Sequence, residues 1–157
     1  MYLFTDCSVS VQKNIGVGGY LFIEDPEGSL ENLENYICLN VFEGVTSTEA
    51  ELRTLIWALN DLEEPTENIS VYTDSQNIVS LLERRGRLEG NDFRNSSGEE
   101  LKHGKSYKEF YKLLDDLNFN VTKVRGHTPV NERNKIEITF SLLDRKTRKE
   151  LRSRLAV

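Results

Sequence analysis

Two stretches of the chain read almost alike: Phe4-Thr5-Asp6-Cys7-Ser8 and Tyr72-Thr73-Asp74-Ser75. Each is a β-branched and aromatic run leading into an aspartate, and between them Glu51 sits on a strongly helical segment. Two strands joined by a crossover containing a helix can lie side by side and parallel, with about 4.8 Å between neighbours. If Asp6 and Asp74 end adjacent strands at one level, their carboxylates face each other across a single gap. Like charges that close do not both stay ionised alone; one takes up a proton or a cation sits between them. A cation is favoured here, because Glu51 can complete an oxygen-rich site. A fourth acid, Asp144, shares a helix side with Phe140, Thr147 and Leu151. An acid on an apolar side is costly unless paired or bound to a cation. Four such acids meeting at one point suit two Mg2+ ions, the pair that clamps attacking and leaving oxygens in an in-line displacement at phosphorus.

The elements that must position these acids follow from pattern. Residues 2–7 alternate and are β-prone, and Gly16 to Ile23 reads as a second strand behind a polar loop from Val9 to Gly16. Asp25-Pro26-Glu27-Gly28 signals a turn, and Tyr36 to Phe42 makes a third strand. Thr46-Ser47-Thr48 offers helix caps ahead of Glu49 and Glu51. The stripe Leu52, Leu55, Ile56, Leu59 and Leu62 then packs on the sheet, and the helix ends near Glu64-Pro65. Ile69 to Thr73 is the fourth strand, and Ser75 to Arg85 a short helix. Residues 86–105 hold four of the ten glycines and read as a long polar loop. A helix from Tyr107 to Leu117, a strand from Phe119 to Val124 and a last helix from about Ile136 to Leu155 complete the order. The fold class is therefore α/β, a mixed five-stranded sheet with helices on its faces, in one domain over residues 1–157. Trp57 and the aromatics of residues 107–111 are expected in the core, and Cys7 and Cys38 as buried, inert thiols.

Composition bounds the function. The 157 residues are 38% hydrophobic and 29% charged, as in an ordinary globular domain. No apolar run approaches a membrane span, and two cysteines without metal-ligand spacing disfavour structural zinc and a disulfide framework. The expectation is a cytoplasmic monomer with no membrane partner. A net charge of −6 speaks against a broadly basic nucleic-acid binder. The charge is uneven, however: residues 145–154 hold six basic side chains against the single acid Glu150, with smaller clusters at 84–87 and 123–127. These become a phosphate-facing surface if they converge near the carboxylates, and otherwise a solvated helix end.

The ordered set TDCS at 5–8, GVGGY at 16–20, TEAEL at 48–52, YTDSQ at 72–76, VRGH at 124–127 and NER at 131–133 resembles the ribonuclease H family over nearly the whole chain. The resemblance implies a ribonuclease H-like fold. It also implies a metal-dependent endoribonuclease that cuts the RNA strand of RNA–DNA hybrids with two Mg2+ ions, Mn2+ being a possible substitute. Carried over by position, the metal-binding acids are Asp6, Glu51 and Asp74, and the loop histidine that moves protons is His127. Contacts to the hybrid fall to Ser8, Asn77, Arg125 and Arg148. Three departures stand out: Cys7 replaces a usual glycine, Lys135 stands where an acid is usual, and no tryptophan-rich basic protrusion is present. The fourth acid must then be Glu137 or Asp144, roughly 10 Å apart along one helix side. Glu137 is explained by the helix dipole, whereas Asp144 is expected deeper and is assigned the role, with Arg145 and Arg148 to orient it. Two alternatives stay open: a DNA-directed nuclease of the same superfold, and a non-catalytic ribonuclease H-like binding or interaction module.

Overall fold

The computed structural model describes residues 1–64, 66, 68–125 and 128–156. Its centre is a strand, β1 (Tyr2–Ser10), flanked by an antiparallel neighbour and a parallel one. The antiparallel side is β2 (Ile15–Ile23), followed by the edge strand β3 (Cys38–Glu43). The parallel side is β4 (Ser70–Thr73) and then β5 (Asn120–Lys123), giving the order β3-β2-β1-β4-β5. Four helices cover this sheet: α1 (Ser47–Asn60), α2 (Gln76–Gly90), α3 (Gly104–Leu117) and α4 (Lys135–Leu155).

Strand alternation divides the core in two. Leu3, Tyr20 and Val71 face α1, α2 and α3, where Leu52, Leu55, Leu59, Ile78, Leu81, Phe110 and Tyr111 close the larger cluster. Phe4 and Leu21 face the other way and meet Val124, Phe140 and Leu143 beneath α4. Two adjacent glycines let the helices come close. A Cβ on Gly18 would lie 2.1 Å from Thr54 Oγ1 of α1, and one on Gly19 would lie 2.9 Å from Thr147 Cγ2 of α4. The GVGGY run is thus a contact surface for both layers at the level of Asp6, which pairs with Gly19.

Helix starts follow the expected chemistry. Thr46 caps α1 through Glu49 N, Ser75 caps α2 through Ile78 N, and Asn134 caps α4 through Glu137 N at 2.8 Å. Several expectations need correcting. α2 runs through Gly86 to Gly90, and α3 starts at Gly104, so the expected loop over 86–105 shrinks to residues 91–103 and contains a small bridge, Arg94 to Glu100. Burial of Leu88 on the stripe begun by Ile78 and Leu81 carries the helix past an exposed glycine. α1 stops at Asn60, short of Glu64. Cys38 is exposed on the edge strand and Cys7 half-buried, so the thiols are not both buried. Trp57 is also half-buried, packed edge-on against Tyr20 at the rim of the core.

Candidate active site

Asp6 does not close its strand, as expected, but lies in the middle of it. β1 goes on to Ser10 against β2, whereas its ladder with β4 stops at Phe4 and Tyr72. The parallel register pairs Tyr2 with Ser70 and Phe4 with Tyr72, which puts Asp6 and Asp74 at the same level where the two strands part. This gap admits side chains from both sheet faces. Asp6, Glu51, Asp74 and Asp144 all line one open concavity there of about 370 Å³, together with Cys7, Ser8 and Arg148.

Each acid is held differently. Asp6 is only 7% exposed, and its Oδ2 has no hydrogen-bond partner. Glu51, half-buried on α1, accepts a 2.6 Å hydrogen bond from Ser75 Oγ, the same hydroxyl that caps α2. Asp144 is bound by Arg148 one turn later, with Nε 3.0 Å from Oδ1. Asp74 is the outermost, exposed at the start of the turn into α2. Ser8 Oγ and Thr147 Oγ1, 3.0 Å apart, tie β1 to α4 beside the acids. Ser75 and Thr147 were absent from the sequence-based site; the signal for Ser75 is a hydroxyl directly before a helical run, the position of an N-cap.

The electrostatics match a cluster in which burial and mutual repulsion of the acids outweigh the nearby Arg148 and Lys123. The Asp6 carboxyl is pushed up to about 9, first by burial, then by the charge of Asp74, then by Asp144, which competes for the same proton. Glu51 is raised by burial, with Ser75 opposing the shift and the charge of Asp74 adding to it. Asp74 is raised by desolvation of its carboxyl and then by Asp144, against which Lys123 and Arg148 pull it down. Because Asp74 as a residue remains exposed, the Asp144 charge is the firmer cause. Burial also raises the Cys7 thiol, with Glu51, Asp6 and Asp74 adding to it, so Cys7 stays protonated beside the acids and donates weakly toward Ser47 O.

A divalent cation would reverse the sign of this field. The orphaned, buried Asp6 Oδ2 is the observation that fits one, since a buried carboxylate oxygen without a partner is costly. Oxygen donors of this kind suit a hard cation such as Mg2+. Among the described residues, no three acid, thiol or imidazole side chains form a finished ligand shell.

Glu137 sits elsewhere, and its burial corrects the sequence expectation. Its side chain is 7% exposed against 30% for Asp144, so Asp144 is the shallower of the two. Glu137 pairs with Arg125 at 3.4 Å, and its carboxyl is held below the usual range by Thr128 and then Arg125. It lines a second cavity of about 360 Å³, shared with Asp74, Asp144, Arg133 and Arg148. Arg133 is fixed there by Thr128 O at 2.9 Å and Ser141 Oγ at 3.0 Å. Lys135, in place of the expected acid, instead ties the start of α4 to the backbone oxygen of Glu27. Of the expected hybrid contacts, Ser8 and Arg148 line the acid concavity and Arg125 the neighbouring cavity, but Asn77 accepts from Arg84 away from the acids. Among the described residues Asp144 pairs with Arg148 and not with Arg145. His127 lies outside the described residues.

A five-stranded mixed sheet whose central strand carries an aspartate level with that of its parallel neighbour is the frame on which comparison with known proteins bears. The RNase H family model matches residues 1–137, and the chain belongs to that family. It is 31% identical over 128 residues to Ribonuclease H of Caldicellulosiruptor saccharolyticus, covering 80% of this chain and 83% of that protein. The fold is likewise that of part of the prototype foamy virus protease–reverse transcriptase, at a TM-score of 0.69 and 19% identity over 93% of this chain. A foamy viral protease–reverse transcriptase solved in complex with RNA/DNA hybrid aligns at a TM-score of 0.62 and 16% identity, again over 93% of this chain. The chain spans only 20% and 19% of those two viral chains. The family match stops at Glu137, so Asp144 lies beyond it.

Proposed function

We propose that the protein is a metal-dependent endoribonuclease that hydrolyses the RNA strand of RNA–DNA hybrids. The observation that carries this reading is the orphaned Asp6 Oδ2, buried at the gap between β1 and β4 and ringed by Glu51, Asp74 and Asp144. Asp6, Glu51 and Asp74 would hold the first of two Mg2+ ions, and Asp144 would join Asp74 around the second. Cations held there supply the Lewis acidity for in-line displacement at phosphorus, yielding a 5′ phosphate and a 3′ hydroxyl.

The chain's own residues do the rest. Ser75 fixes the Glu51 carboxylate, so its approach is set by the α2 cap rather than by a free rotamer. Arg148 braces Asp144 and reaches the rim of both cavities, where it can meet a phosphate oxygen. Arg125 is 75% exposed although paired with Glu137, which leaves its remaining donors for the backbone of a bound strand. His127 would carry protons between the site and solvent. The hybrid is the favoured substrate because the Caldicellulosiruptor relative bears the name Ribonuclease H and a fold neighbour was solved on an RNA/DNA hybrid. A second fold neighbour was solved on dsDNA, so a DNA-directed activity is the reading to test against. A labelled hybrid, duplex DNA, duplex RNA and both single strands, each with Mg2+ or Mn2+, decide the matter. Cleavage confined to RNA in the hybrid is expected. Cleavage of duplex DNA, or of nothing in the panel, would overturn the proposal.

A further inference from the structure

A second charged concavity lies between the end of α2 and the start of α3. It encloses about 360 Å³ and is lined by Arg84, Arg87, Arg94, Lys102, His103 and Tyr107, among others. No carboxylate is among the described residues that line it. On a chain of net charge −6, that grouping of cations stands against the overall field. Most of the charge is also unspent. Arg87 and Lys102 make no ion pair among the described residues. Arg94 meets Asp92 and Glu100 only at 3.8 and 3.9 Å, and both acids are 82% exposed.

Two further features belong to the same wall. Arg84 is held over the Tyr107 ring at 5.8 Å and donates through Nη2 to Asn77 at 2.9 Å, yet its buried Nε has no partner. A buried guanidinium N–H left unmatched is costly, and the rest of the Arg84 side chain lines the recess beside the unpaired cations. α3 also begins at this wall: His103 is its N-cap, no side chain caps its first turn, and no acid stands in that turn. The positive end of α3 adds to the field at this wall, although the Gly104 amide is already bonded to Leu101 O.

We propose that this concavity is a binding site for a phosphate monoester. The monoester carries about −1.5 to −2 charges and three strong acceptor oxygens, which suits several cations converging in a recess. A backbone diester carries one charge and lies along a surface, so a single exposed arginine would serve it. Leu88 and Leu101 line the same recess but Tyr107 is nearly covered, so the phosphate group rather than a stacked base is the recognised part. The shared chemistry can reach the site from a free mononucleotide or from the 5′-phosphorylated end of a strand. The site is independent of the carboxylate cluster and of the activity proposed for it.

The test is titration in EDTA, followed by calorimetry and 31P NMR, with inorganic phosphate, adenosine 5′-monophosphate, and one short oligonucleotide bearing either a 5′ phosphate or a 5′ hydroxyl. Phosphate-bearing probes should bind at least tenfold more tightly than the 5′-hydroxyl oligonucleotide. Binding of the monophosphate identifies a free nucleotide as a source, and binding of the phosphorylated oligonucleotide alone identifies a strand end. Arg87→Glu with Lys102→Glu should weaken both by at least tenfold, and the milder pair Arg87→Gln with Lys102→Gln should do so in part with an unchanged melting curve. Glu51→Gln should leave phosphate binding intact. Equal affinity for the two oligonucleotides, no binding of any probe, or binding indifferent to both double variants would overturn the assignment.

Discussion

Gly19→Ala tests whether the glycine pair beneath α4 sets the position of the fourth acid. The added Cβ would lie 2.9 Å from Thr147 Cγ2, 3.0 Å from Leu143 Cδ1 and 3.0 Å from Leu39 Cδ2. Carbon atoms rest at about 3.5–4.0 Å, so each neighbour must retreat by roughly 0.5–1 Å. Overpacking of this kind costs about 1–3 kcal/mol. At about 2–4 °C per kcal/mol for a chain of this size, the melting temperature should fall by about 2–12 °C. Leu143 and Thr147 bracket Asp144 on α4, so the displacement passes directly to its carboxylate. A misplacement near 1 Å at a reacting centre costs on the order of 10²-fold in rate. The expected signature is therefore a folded variant, stable at the assay temperature, with hydrolysis of the hybrid reduced by about two orders of magnitude. Gly86→Ala is the control: nothing lies within 4 Å of its Cβ, and a mid-helix glycine replaced by alanine should gain about 0.5–1 kcal/mol. Urea melts and initial rates on a labelled hybrid measure both. A Gly19→Ala protein that keeps its rate within twofold would refute the link between that contact and the acid.

Asp144→Asn should abolish most hydrolysis while fold and hybrid affinity persist, whereas Glu137→Gln should be mild in rate; the reverse ranking in a steady-state assay would return the fourth role to Glu137. Ser75→Ala removes both the α2 cap and the Glu51 hydrogen bond, so it should cost about 1–2 kcal/mol in a denaturant melt and lower the rate as well. Adding Mg2+ or Mn2+ should raise the melting temperature of the native protein in a dose-dependent way, and Asp6→Asn should remove that response while melting higher than native in EDTA. Asp115 makes a bidentate pair with Arg85 at 2.7 Å for each bond, and that pair holds its carboxyl below the usual 3.8; Glu89 is the other charged group on the same guanidinium. A depressed carboxyl contributes stability above its unfolded pKa and loses it as pH falls through the folded value. Asp115→Asn should therefore melt lower than native at neutral pH, with the gap closing below about pH 3.8, as thermal melts across pH would show.

The pairing of Asp6 with Asp74 was legible because two short runs of the same type force the same register on parallel strands. The stripe from Leu52 to Leu59 likewise placed Glu51 at the border of the buried face. What misled was local chemistry outvoted by distant packing. Arg84-Arg85-Gly86-Arg87 looked like a helix end, but Leu88 is only 7% exposed against the α3 side and holds the helix through the glycine. Asp6 looked like a strand terminus because nothing nearby reveals that β1 outruns one neighbour and not the other. Glu137 looked like a solvated helix-start acid. Its partners Arg125 and Thr128 are brought across by the fold, which helix position alone does not reveal. Arg84 and His103 belong to a recess that joins two helices over a connection read as a loop, so sequence spacing gave no sign of it.

The place of Asp144 in the chain has a consequence for synthesis. The acid cluster draws on residues 6, 51, 74 and 144, and its last member lies on the helix that also packs Phe140 and Leu143 over Phe4 and Leu21. A ribosome making this chain releases the first three acids long before the fourth. Until α4 docks, the cluster is incomplete and Phe4 and Leu21 lack their contacts with Phe140 and Leu143. Docking of α4 therefore does two things at once: it lays Phe140 and Leu143 over Phe4 and Leu21, and it brings Asp144 to the other three acids.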